Sequence, residues 1–468
     1  MDKNEFRRIT AEWIEAHREE MAETLQAFCR IPSVCRRDLA QENAPYGPDC
    51  RKMLDFALET ARKMGFETED YEGHCGAAIL GDGDNAIAII AHLDVVPEGS
   101  DWRWPPYSSH REGDYIYGRG TSDNKFAAVT GLYLMKMFKE LALPMKHGIK
   151  LLMGCAEETG MWDMKYYKEH YSLPVFILVP DGGFPVNYAQ KGMLDAIASR
   201  PLGSELAYFK GGEVSNAVPN HAWALVTKRG IKIDKEDIVC EDDENGTIVS
   251  ANGLAAHASR PETGKNAFRM LADALIEANC LTGESLECMK AMSELAGSLD
   301  GEAVGFAAED PDTGKTTVNI GLAATKDGRV SVTLDSRVSL AMKPEQAEEA
   351  YRAYCAKNGW TLESSRVSDS MYIPKDDPKV QCLQALYKDM TGEEKEPYAM
   401  GGGTYARLFP NALTFGPGGS PAIRGHEPDW FKPGHGSAHA PDEYCYIPSM
   451  LELARIYASA LSELDELV

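Results

Sequence analysis

The sequence lacks any uncharged apolar run of about 18 residues, the length that a membrane-spanning helix needs. Its beginning alternates charged and apolar residues and has no uninterrupted apolar segment of the signal-peptide kind. Basic residues are scarce as well, because 48 Lys and Arg stand against 72 Asp and Glu, a formal net charge of −24. Nucleic acids bind clustered cations, so this charge disfavours them as partners. We expect a cytoplasmic protein without membrane or nucleic-acid partners.

The 11 cysteines never occur as Cys-x-x-Cys, and their number is odd. This pattern argues against a disulfide framework and against a zinc site made of cysteine thiolates. We therefore expect reduced and mostly buried thiols.

Hydrophobic patterning predicts an α/β layer structure in the first part of the chain. Two apolar runs that follow the opening helical segments are separated by only five polar and glycine residues, which we interpret as a hairpin. Two later apolar runs alternate with helical stretches, as in α/β folds. The predicted helices are at 9–28 and 49–64, and the apolar runs are at 77–80, 86–91, 149–155 and 175–179.

The length of 468 residues predicts at least two domains. Shorter strand-like segments dominate after Asp181, and strong helical periodicity returns at 379–390. The predicted fold class is α/β: a domain with a mixed sheet flanked by helices, formed by 1–184 and 371–468, and interrupted by an inserted α+β domain at 185–370.

Three of the apolar runs end at histidine or carboxylate residues. The second run delivers His92 and Asp94, the third delivers Glu157 and Glu158, and the fourth delivers Asp181. Ligands of open α/β sheets bind outside the carboxyl ends of the strands, so we expect these side chains to converge at one edge. A further acid, Asp123, follows the glycine-containing segment 118–122 and opens a helix.

So many carboxylates repel one another at short range unless cations neutralise them. Imidazole and carboxylate ligands without thiolates suit zinc, manganese or cobalt, and two adjacent ions need a bridging carboxylate. The segment 435–443 can supply a second histidine. Taken singly, Asp181 is more simply a turn or cap residue and His92 a core histidine. Their joint placement favours a metal site.

These residues resemble the aminoacylase/carboxypeptidase clan of di-zinc metallopeptidases, peptidase family M20. Segments 215–219 and 401–407 and the large insert are similar to the bacterial dipeptidases of the PepV type. One departure is Asn124, which stands where the dipeptidase subgroup commonly has Asp. The motifs that carry the resemblance are His92-x-Asp94, Gly-Arg-Gly-Thr-x-Asp123-Asn-Lys125, Glu157-Glu158, Asp181 and His439.

The resemblance implies two Zn²⁺ ions, with Mn²⁺ or Co²⁺ as alternatives, bridged by Asp123. One ion would also take His92 and Asp181, and the other would take Glu158 and His439. Asp94 would accept a hydrogen bond from the His92 imidazole and so fix its tautomer. Glu157 would be the general base, taking a proton from the water between the ions and delivering it to the leaving amine.

The resemblance also implies that the insert is a lid over the substrate. His257 would help to stabilise the developing oxyanion, and Asn216 would contact the substrate. Arg337 would bind the substrate carboxylate, although it could equally pair with a neighbouring acid. The substrate-binding set also includes Gly402, Gly403 and Thr404, whose simplest structural explanation is a tight turn.

The expected function is hydrolysis of dipeptides, with a small peptide as substrate. The nearest alternative is a deacylase of N-acyl amino acids or diamino acids, and a more distant one is a non-catalytic zinc- or peptide-binding protein. Retention of Glu157 argues against a binder, which needs no general base. The long segment 182–370 favours an active monomer, with a homodimer as the alternative.

Overall fold

The computed structural model of the protein describes residues 1–418 and 426–468. The chain folds into two compact units. Unit 1 comprises Met1–Tyr188, Ile373–Tyr398 and Thr404–Val468, and unit 2 comprises Ala189–Tyr372 and Ala399–Gly403. Within the described ranges, no helix is long and apolar enough to cross a bilayer.

Helices occur in both units, with α6 to α8 in unit 2 and the others in unit 1. Their bounds are α1 (Lys3–Ala16), α2 (Arg18–Cys29), α3 (Pro48–Lys63), α4 (Lys125–Glu140), α5 (Trp162–His170), α6 (Ala267–Glu277), α7 (Gly283–Gly297), α8 (Pro344–Lys357), α9 (Pro378–Thr391) and α10 (Ile447–Leu464). Short 3₁₀ helices lie at Arg37–Leu39, Pro261–Thr263 and Tyr405–Leu408.

The strands follow the same numbering along the chain. They are β1 (Glu67–Tyr71), β2 (Cys75–Leu80), β3 (Ala86–His92), β4 (His110–Glu112), β5 (Tyr115–Tyr117), β6 (Gly148–Gly154), β7 (Phe176–Val179), β8 (Gly182–Gly183), β9 (Asn187–Gln190), β10 (Gly192–Pro201), β11 (Leu206–Gly211), β12 (His221–Val226), β13 (Ile238–Asp243), β14 (Gly246–Asn252), β15 (Glu309–Asp310), β16 (Gly314–Lys315), β17 (Thr317–Lys326), β18 (Arg329–Val338), β19 (Thr361–Ser368), β20 (Met371–Tyr372), β21 (Tyr398–Met400), β22 (Ala412–Thr414), β23 (Pro417–Gly418) and β24 (Tyr444–Tyr446).

Unit 1 is built around a mixed sheet in which β1, β2, β6, β3, β7 and β22 are successive neighbours. Strand β3 runs parallel to both β6 and β7, and β7 runs parallel to β22, whereas β2 is antiparallel to β6. The carboxyl ends of β3, β6 and β7 therefore meet at one edge of the sheet. Every residue of β3 and β6 is buried, as expected for strands covered on both faces.

The hairpin predicted for 77–80 and 86–91 is wrong. Strand β6 lies between β2 and β3 and pairs with both, antiparallel to β2 and parallel to β3. A short polar connection is compatible with a hairpin, but the fully buried β6 needs a hydrogen-bonded partner on each side. The order of β2, β6 and β3 is thus decided by the need of the buried strand β6 for hydrogen-bonded neighbours, although β6 is distant from them in sequence.

The helix predicted for 9–28 is divided in the structure. Helix α1 ends at Ala16. The next residue, His17, stacks its ring on that of Trp13, with 3.7 Å between the ring centroids. The Nδ1 atom of His17 also lies 2.8 Å from the main-chain oxygen of Trp13 and competes for the helical carbonyl groups. Helix α2 then begins at Arg18.

Helix α4 forms the centre of unit 1. It contacts β2, β3 and β6 on the sheet side and α1, α2 and α10 on the helical side. Even its lysine at the start, Lys125, is fully buried and donates from Nζ to the main-chain oxygen of Ile31 at 2.7 Å. This burial anchors the helix directly after Asp123.

Unit 2 has an α+β architecture. Its antiparallel sheet has the order β13, β14, β12, β11, β17, β18, β10 and β19. Helix α6 packs on β12 and β14, α7 on β10 and β17, and α8 on β10 and β19. A continuous apolar core joins these helices to the sheet.

The cysteines agree with the expectation of reduced thiols. All eleven lie among the described residues, none forms a disulfide, and eight are buried.

Candidate metal centre and active site

The edge of the unit 1 sheet carries five of the predicted site residues, including Asp94, which follows β3 by two residues. Strand β3 ends at His92, the turn after β6 carries Glu157 and Glu158, and Asp181 follows β7 by two residues. Since β3 is parallel to both β6 and β7, all three strands deliver these side chains to the same edge. Asp123 enters from the loop before α4, and His439 enters from the loop before β24.

The structure brings these side chains into two overlapping groups that share Asp123. The first contains His92, Asp123 and Asp181, and the second contains Asp123, Glu158 and His439. In each group the candidate ligand atoms all lie within 4.8 Å of one another.

Asp123 faces a different histidine with each of its carboxylate oxygens. Oδ1 lies 3.0 Å from Nε2 of His92, and Oδ2 lies 3.0 Å from Nε2 of His439. Nε2 of His439 also lies 2.9 Å from Oε1 of Glu158. Imidazole nitrogens and carboxylate oxygens, with one carboxylate shared, are the donors that a pair of Zn²⁺, Mn²⁺ or Co²⁺ ions takes. The residues present therefore fit two divalent cations.

The electrostatics of the cluster also favour cations. Burial, assisted by the negative charge of Asp123, raises the pKa of Asp181 to about 7. Burial and the charge of Asp181 raise the pKa of Glu157 well above its ordinary value. Hydrogen bonds to Asp123 and Glu158 raise the pKa of His439 to about 10. Without metal, Asp181 and Glu157 are driven to hold protons, and divalent cations relieve the same repulsion when they displace those protons.

Asp94 contacts both the His92 imidazole and the turn that carries the two glutamates. Nδ1 of His92 lies 2.9 Å from the main-chain oxygen of Asp94, whereas the nearest carboxylate oxygen of Asp94 is 3.5 Å away. The carboxylate accepts instead from the main-chain N–H groups of Glu157 and Glu158, each at 3.1 Å. The carbonyl group of Asp94 thus orients the imidazole, and its side chain orients the turn that carries the two glutamates.

Two supporting residues of this turn, Asp163 and Tyr405, were missed from the sequence. Fully buried Asp163 accepts from the N–H groups of Cys155 and Ala156 at 2.5 and 2.8 Å. The Tyr405 hydroxyl donates to the same carboxylate oxygen at 2.5 Å. Gly154 must be glycine here, because a Cβ atom would lie 2.0 Å from that hydroxyl oxygen. The only sequence signal was an acid five residues after Glu158, which also fits a solvated helix start.

Asn124 links two of the loops that carry candidate ligands. Its amide nitrogen donates to the main-chain oxygen of Pro180 at 2.8 Å, directly before Asp181. An ionised aspartate at this position has no proton to donate to a carbonyl group. Asn124, which departs from the dipeptidase pattern, therefore makes a hydrogen bond that an aspartate at this position could not make.

Among the predicted lid residues, the structure brings Asn216 and His257 together within unit 2. The N–H of Ala258 donates to the main-chain oxygen of Asn216 at 2.9 Å, and Ala217 forms a β-bridge with His257. The N–H of Ser259 donates to Nδ1 of His257 at 3.1 Å. Because a main-chain N–H can only donate, Nδ1 is the acceptor, and Nε2 of the neutral ring carries the proton.

Arg337 pairs with a neighbouring acid, Asp335, a pairing that is the second of its two predicted roles. Its Nε and Nη2 atoms donate to the two carboxylate oxygens of Asp335, both at 2.8 Å. Nη1 lies 3.3 Å from the main-chain oxygen of Gly401. Both side chains of this ion pair are almost completely buried, so the guanidinium fork is already engaged within unit 2.

The predicted turn 402–404 is divided between the two units. Gly402 and Gly403 belong to unit 2, and Thr404 belongs to unit 1. The buried Thr404 hydroxyl accepts from the N–H of Ala406 at 3.3 Å and lies 2.8 Å from the hydroxyl of Thr414. It caps the 3₁₀ helix Tyr405–Leu408, and a substrate contact of its side chain stays a prediction.

Residues 88–463 match the profile described as Peptidase family M20/M25/M40. The chain belongs to this family. It is 29% identical over 474 residues to the protein of Bacillus subtilis named "Putative dipeptidase YtjP", covering 96% of this chain and 97% of that protein. A Staphylococcus haemolyticus protein that also carries the name "Putative dipeptidase" is 27% identical over 480 residues, covering 97% of this chain and 98% of that protein.

Solved structures of other proteins share the fold. Human carnosine dipeptidase 1 has a TM-score of 0.57 at 15% identity, covering 98% of this chain and all of that chain. The dipeptidase Dug1p of Saccharomyces cerevisiae has a TM-score of 0.59 at 11% identity, covering 98% of each chain. These likenesses confirm the predicted α/β fold with an additional α+β unit. The peptidase activity class predicted from the sequence is confirmed by the family.

Proposed function

We propose that the protein is a dipeptidase that uses two divalent cations to hydrolyse the peptide bond. Zn²⁺ is the first candidate for these cations. The observation that carries the proposal is the position of Asp123, whose two carboxylate oxygens each lie 3.0 Å from a different histidine. A carboxylate shared in this way suits a pair of ions rather than one. The names of the full-length relatives agree with a dipeptide substrate.

The ligand assignment follows the two groups of side chains. His92, Asp123 and Asp181 would hold one cation, and Asp123, Glu158 and His439 would hold the other. Two such cations supply Lewis acidity, which polarises the scissile carbonyl and lowers the pKa of a water molecule.

Glu157 is the proton carrier in this proposal. It takes a proton from the attacking water as the oxygen bonds to the carbonyl carbon, and it delivers that proton to the amine as the carbon–nitrogen bond breaks. The main-chain N–H of Glu157 is held by the carboxylate of Asp94 at 3.1 Å, which limits the movement of the turn between the two steps. Asp94 is thus a positioning residue in this mechanism.

We assign unit 1 as the catalytic domain and unit 2 as the lid. His257 is the unit 2 residue best suited to the reaction, because its Nε2 carries a proton that can be donated to a developing oxyanion. Asn216 is its neighbour and the second candidate for a substrate contact. Arg337 is the weakest of the three, because Asp335 already occupies its guanidinium fork.

We further propose that the enzyme acts in the cytoplasm as a monomer. Eleven cysteines without a disulfide agree with a reducing compartment. The long unit 2 agrees with a lid that needs no partner chain.

The decisive experiment is a substrate screen on purified protein. Dipeptides of varied composition would be tested beside N-acyl amino acids and N-acyl diamino acids, each with and without a metal chelator. We expect chelator-sensitive release of free amino acids from dipeptides. Chelator-sensitive cleavage of the acylated compounds alone would assign a deacylase instead, and absence of any cleavage by metal-loaded protein would contradict the proposal.

A further inference from the structure

Glu443 is a completely buried carboxylate that none of the assigned roles uses. Its Oε1 atom accepts from the main-chain N–H groups of Ser122 and Asp123 at 2.9 and 3.0 Å, and from the Ser122 hydroxyl at 3.0 Å. The N–H of Gly120 lies 3.1 Å from both of its carboxylate oxygens. One side chain thus binds the loop that ends at the shared ligand Asp123.

Arg119 holds the other side of the same carboxylate. Its Nη1 atom donates to Oε2 of Glu443 at 2.7 Å, and only 1% of the arginine side chain is exposed. The same guanidinium donates to the main-chain oxygens of His439 and Ala440 at 3.2 and 3.3 Å. It is therefore bonded to the loop that carries the ligand His439.

The ion pair consequently cross-links two ligand-bearing loops that lie more than 300 residues apart in sequence. Glu443 belongs to the loop of His439 but binds the loop of Asp123, and Arg119 belongs to the loop of Asp123 but binds the loop of His439. The two bonds are reciprocal, so they restrain the distance between the two loops from both directions. Glu158, the third ligand of that group, comes from a different strand and is not part of the cross-link.

We propose that the buried Arg119–Glu443 pair is a positioning pair that sets the separation of Asp123 and His439 and thereby the affinity for the cation these two ligands share with Glu158. The inference rests on the proposed two-cation function. Groups that orient metal ligands typically change metal affinity by about 10- to 100-fold when they are altered.

The chemistry of Glu443 makes a sharp variant available. Both of its carboxylate oxygens receive N–H donors, so an amide in Glu443→Gln must turn its own N–H₂ group towards either Arg119 or the Ser122 N–H. The substitution keeps the size of the side chain, but it places the N–H₂ group of the new amide against another hydrogen-bond donor. Arg119→Lys is the complementary variant, because one ammonium group cannot reproduce the planar fork that bonds Glu443 and two carbonyl groups at once.

A matched control exists elsewhere in unit 1. Asp465 is also buried and accepts from two consecutive main-chain N–H groups, those of Lys146 and His147, at 2.6 and 3.0 Å. These residues precede β6, so they lie a strand length of about 20 Å from the turn that carries Glu158. Asp465→Asn therefore imposes a comparable loss of hydrogen bonds without touching a ligand loop.

The experiment measures both metal dissociation constants on metal-free protein, by titration of Zn²⁺ against a chromophoric chelator. The visible absorption spectrum of the Co²⁺-loaded protein reports the ligand geometry separately. We expect wild-type protein to bind two ions. In Glu443→Gln and Arg119→Lys one of the two sites should lose about 10- to 100-fold in affinity, with an altered Co²⁺ spectrum. Asp465→Asn should keep both constants and the spectrum, even if its unfolding midpoint falls.

The outcomes separate the two claims. Folded Glu443→Gln and Arg119→Lys proteins with wild-type constants and spectra would overturn the positioning role alone, and wild-type protein that binds a single ion would overturn the proposed function itself. If Glu443→Gln does not fold, Arg119→Lys and the milder Ser122→Ala, which removes one hydrogen bond to Glu443, decide the question by the same measurements.

Discussion

Asp94 and Asp163 accept the hydrogen bonds of four consecutive main-chain N–H groups, those of residues 155–158. Asp163 takes the first two at 2.5 and 2.8 Å, and Asp94 takes the last two at 3.1 Å each. Both carboxylates are completely buried, so no solvent competes for these bonds. The turn after β6 is therefore held by two buried carboxyl groups, and the positions of Glu157 and Glu158 follow from it.

The first prediction concerns the pH dependence of stability. Burial and the charge of Asp94 raise the pKa of Asp163 to about 6, against about 3.9 for an aspartate in an unfolded chain. The folded state therefore holds this proton more tightly. Its stabilising effect is complete below about pH 4 and is lost as the pH rises towards 6. Asp163→Asn cannot titrate, so the advantage of wild type over the variant in unfolding free energy should shrink over this range.

Urea denaturation of chelator-treated wild type and Asp163→Asn at several pH values between 4 and 7 measures this difference. The upper limit of the change is about 3 kcal/mol for a shift of two pKa units. A difference that stays constant or grows with pH would contradict the prediction.

The second prediction separates the two neighbouring glutamates. Glu157→Gln should keep both metal ions and lose turnover by about 10² or more, because it removes the proton carrier. Glu158→Gln should first lose affinity for one ion, because it removes a ligand. Metal analysis and steady-state kinetics on the two variants test this. Normal turnover of Glu157→Gln would show that the mechanism is wrong.

The third prediction is a stoichiometry of two divalent ions per chain. Five candidate ligand side chains, with one carboxylate common to both groups, suit a pair of ions better than a single ion. Elemental analysis of protein never exposed to chelator checks the number. His92→Ala and His439→Ala should each lower the occupancy, since each removes a ligand of a different ion. Full activity at one ion per chain would refute the bridging role of Asp123.

The fourth prediction is that His257 acts within its own chain. His257→Ala should lower kcat more than it lowers metal content, because the histidine belongs to unit 2 and is no member of the ligand groups. The His257→Ala protein would be mixed with the Glu157→Gln protein and assayed for activity, and the oligomeric state of the mixture would be measured by size-exclusion chromatography. Inactive mixtures are expected. Recovered activity together with a dimer peak would show that the histidine serves the partner chain instead.

Three of the five candidate ligands could be located from the sequence because they follow buried strands. Apolar runs that end in His92, Glu158 and Asp181 predict strand ends, and the parallel arrangement then gathers those ends at one edge. The order of the strands could not be predicted in the same way. The insertion of β6 between β2 and β3 depends on pairing between segments about 70 residues apart, which local patterns do not encode.

The supporting acids could not be identified from the sequence for a related reason. Glu443 and Asp163 have the same local sequence character as acids on a surface, and only their burial against main-chain N–H groups distinguishes them from such acids. The pairing of Arg337 with Asp335 was one of two alternatives in the sequence, and the fold decided between them.

The sequence by itself determined the residue types of the site, the α/β class and the family, because these depend on local periodicity and on motifs whose spacing is written along the chain. The tertiary structure decided which carboxylates lie beside Asp123 and which accept main-chain hydrogen bonds from the neighbouring loops. Hydrogen bonds between distant segments form only after the core excludes water, and that burial is a property of the whole fold.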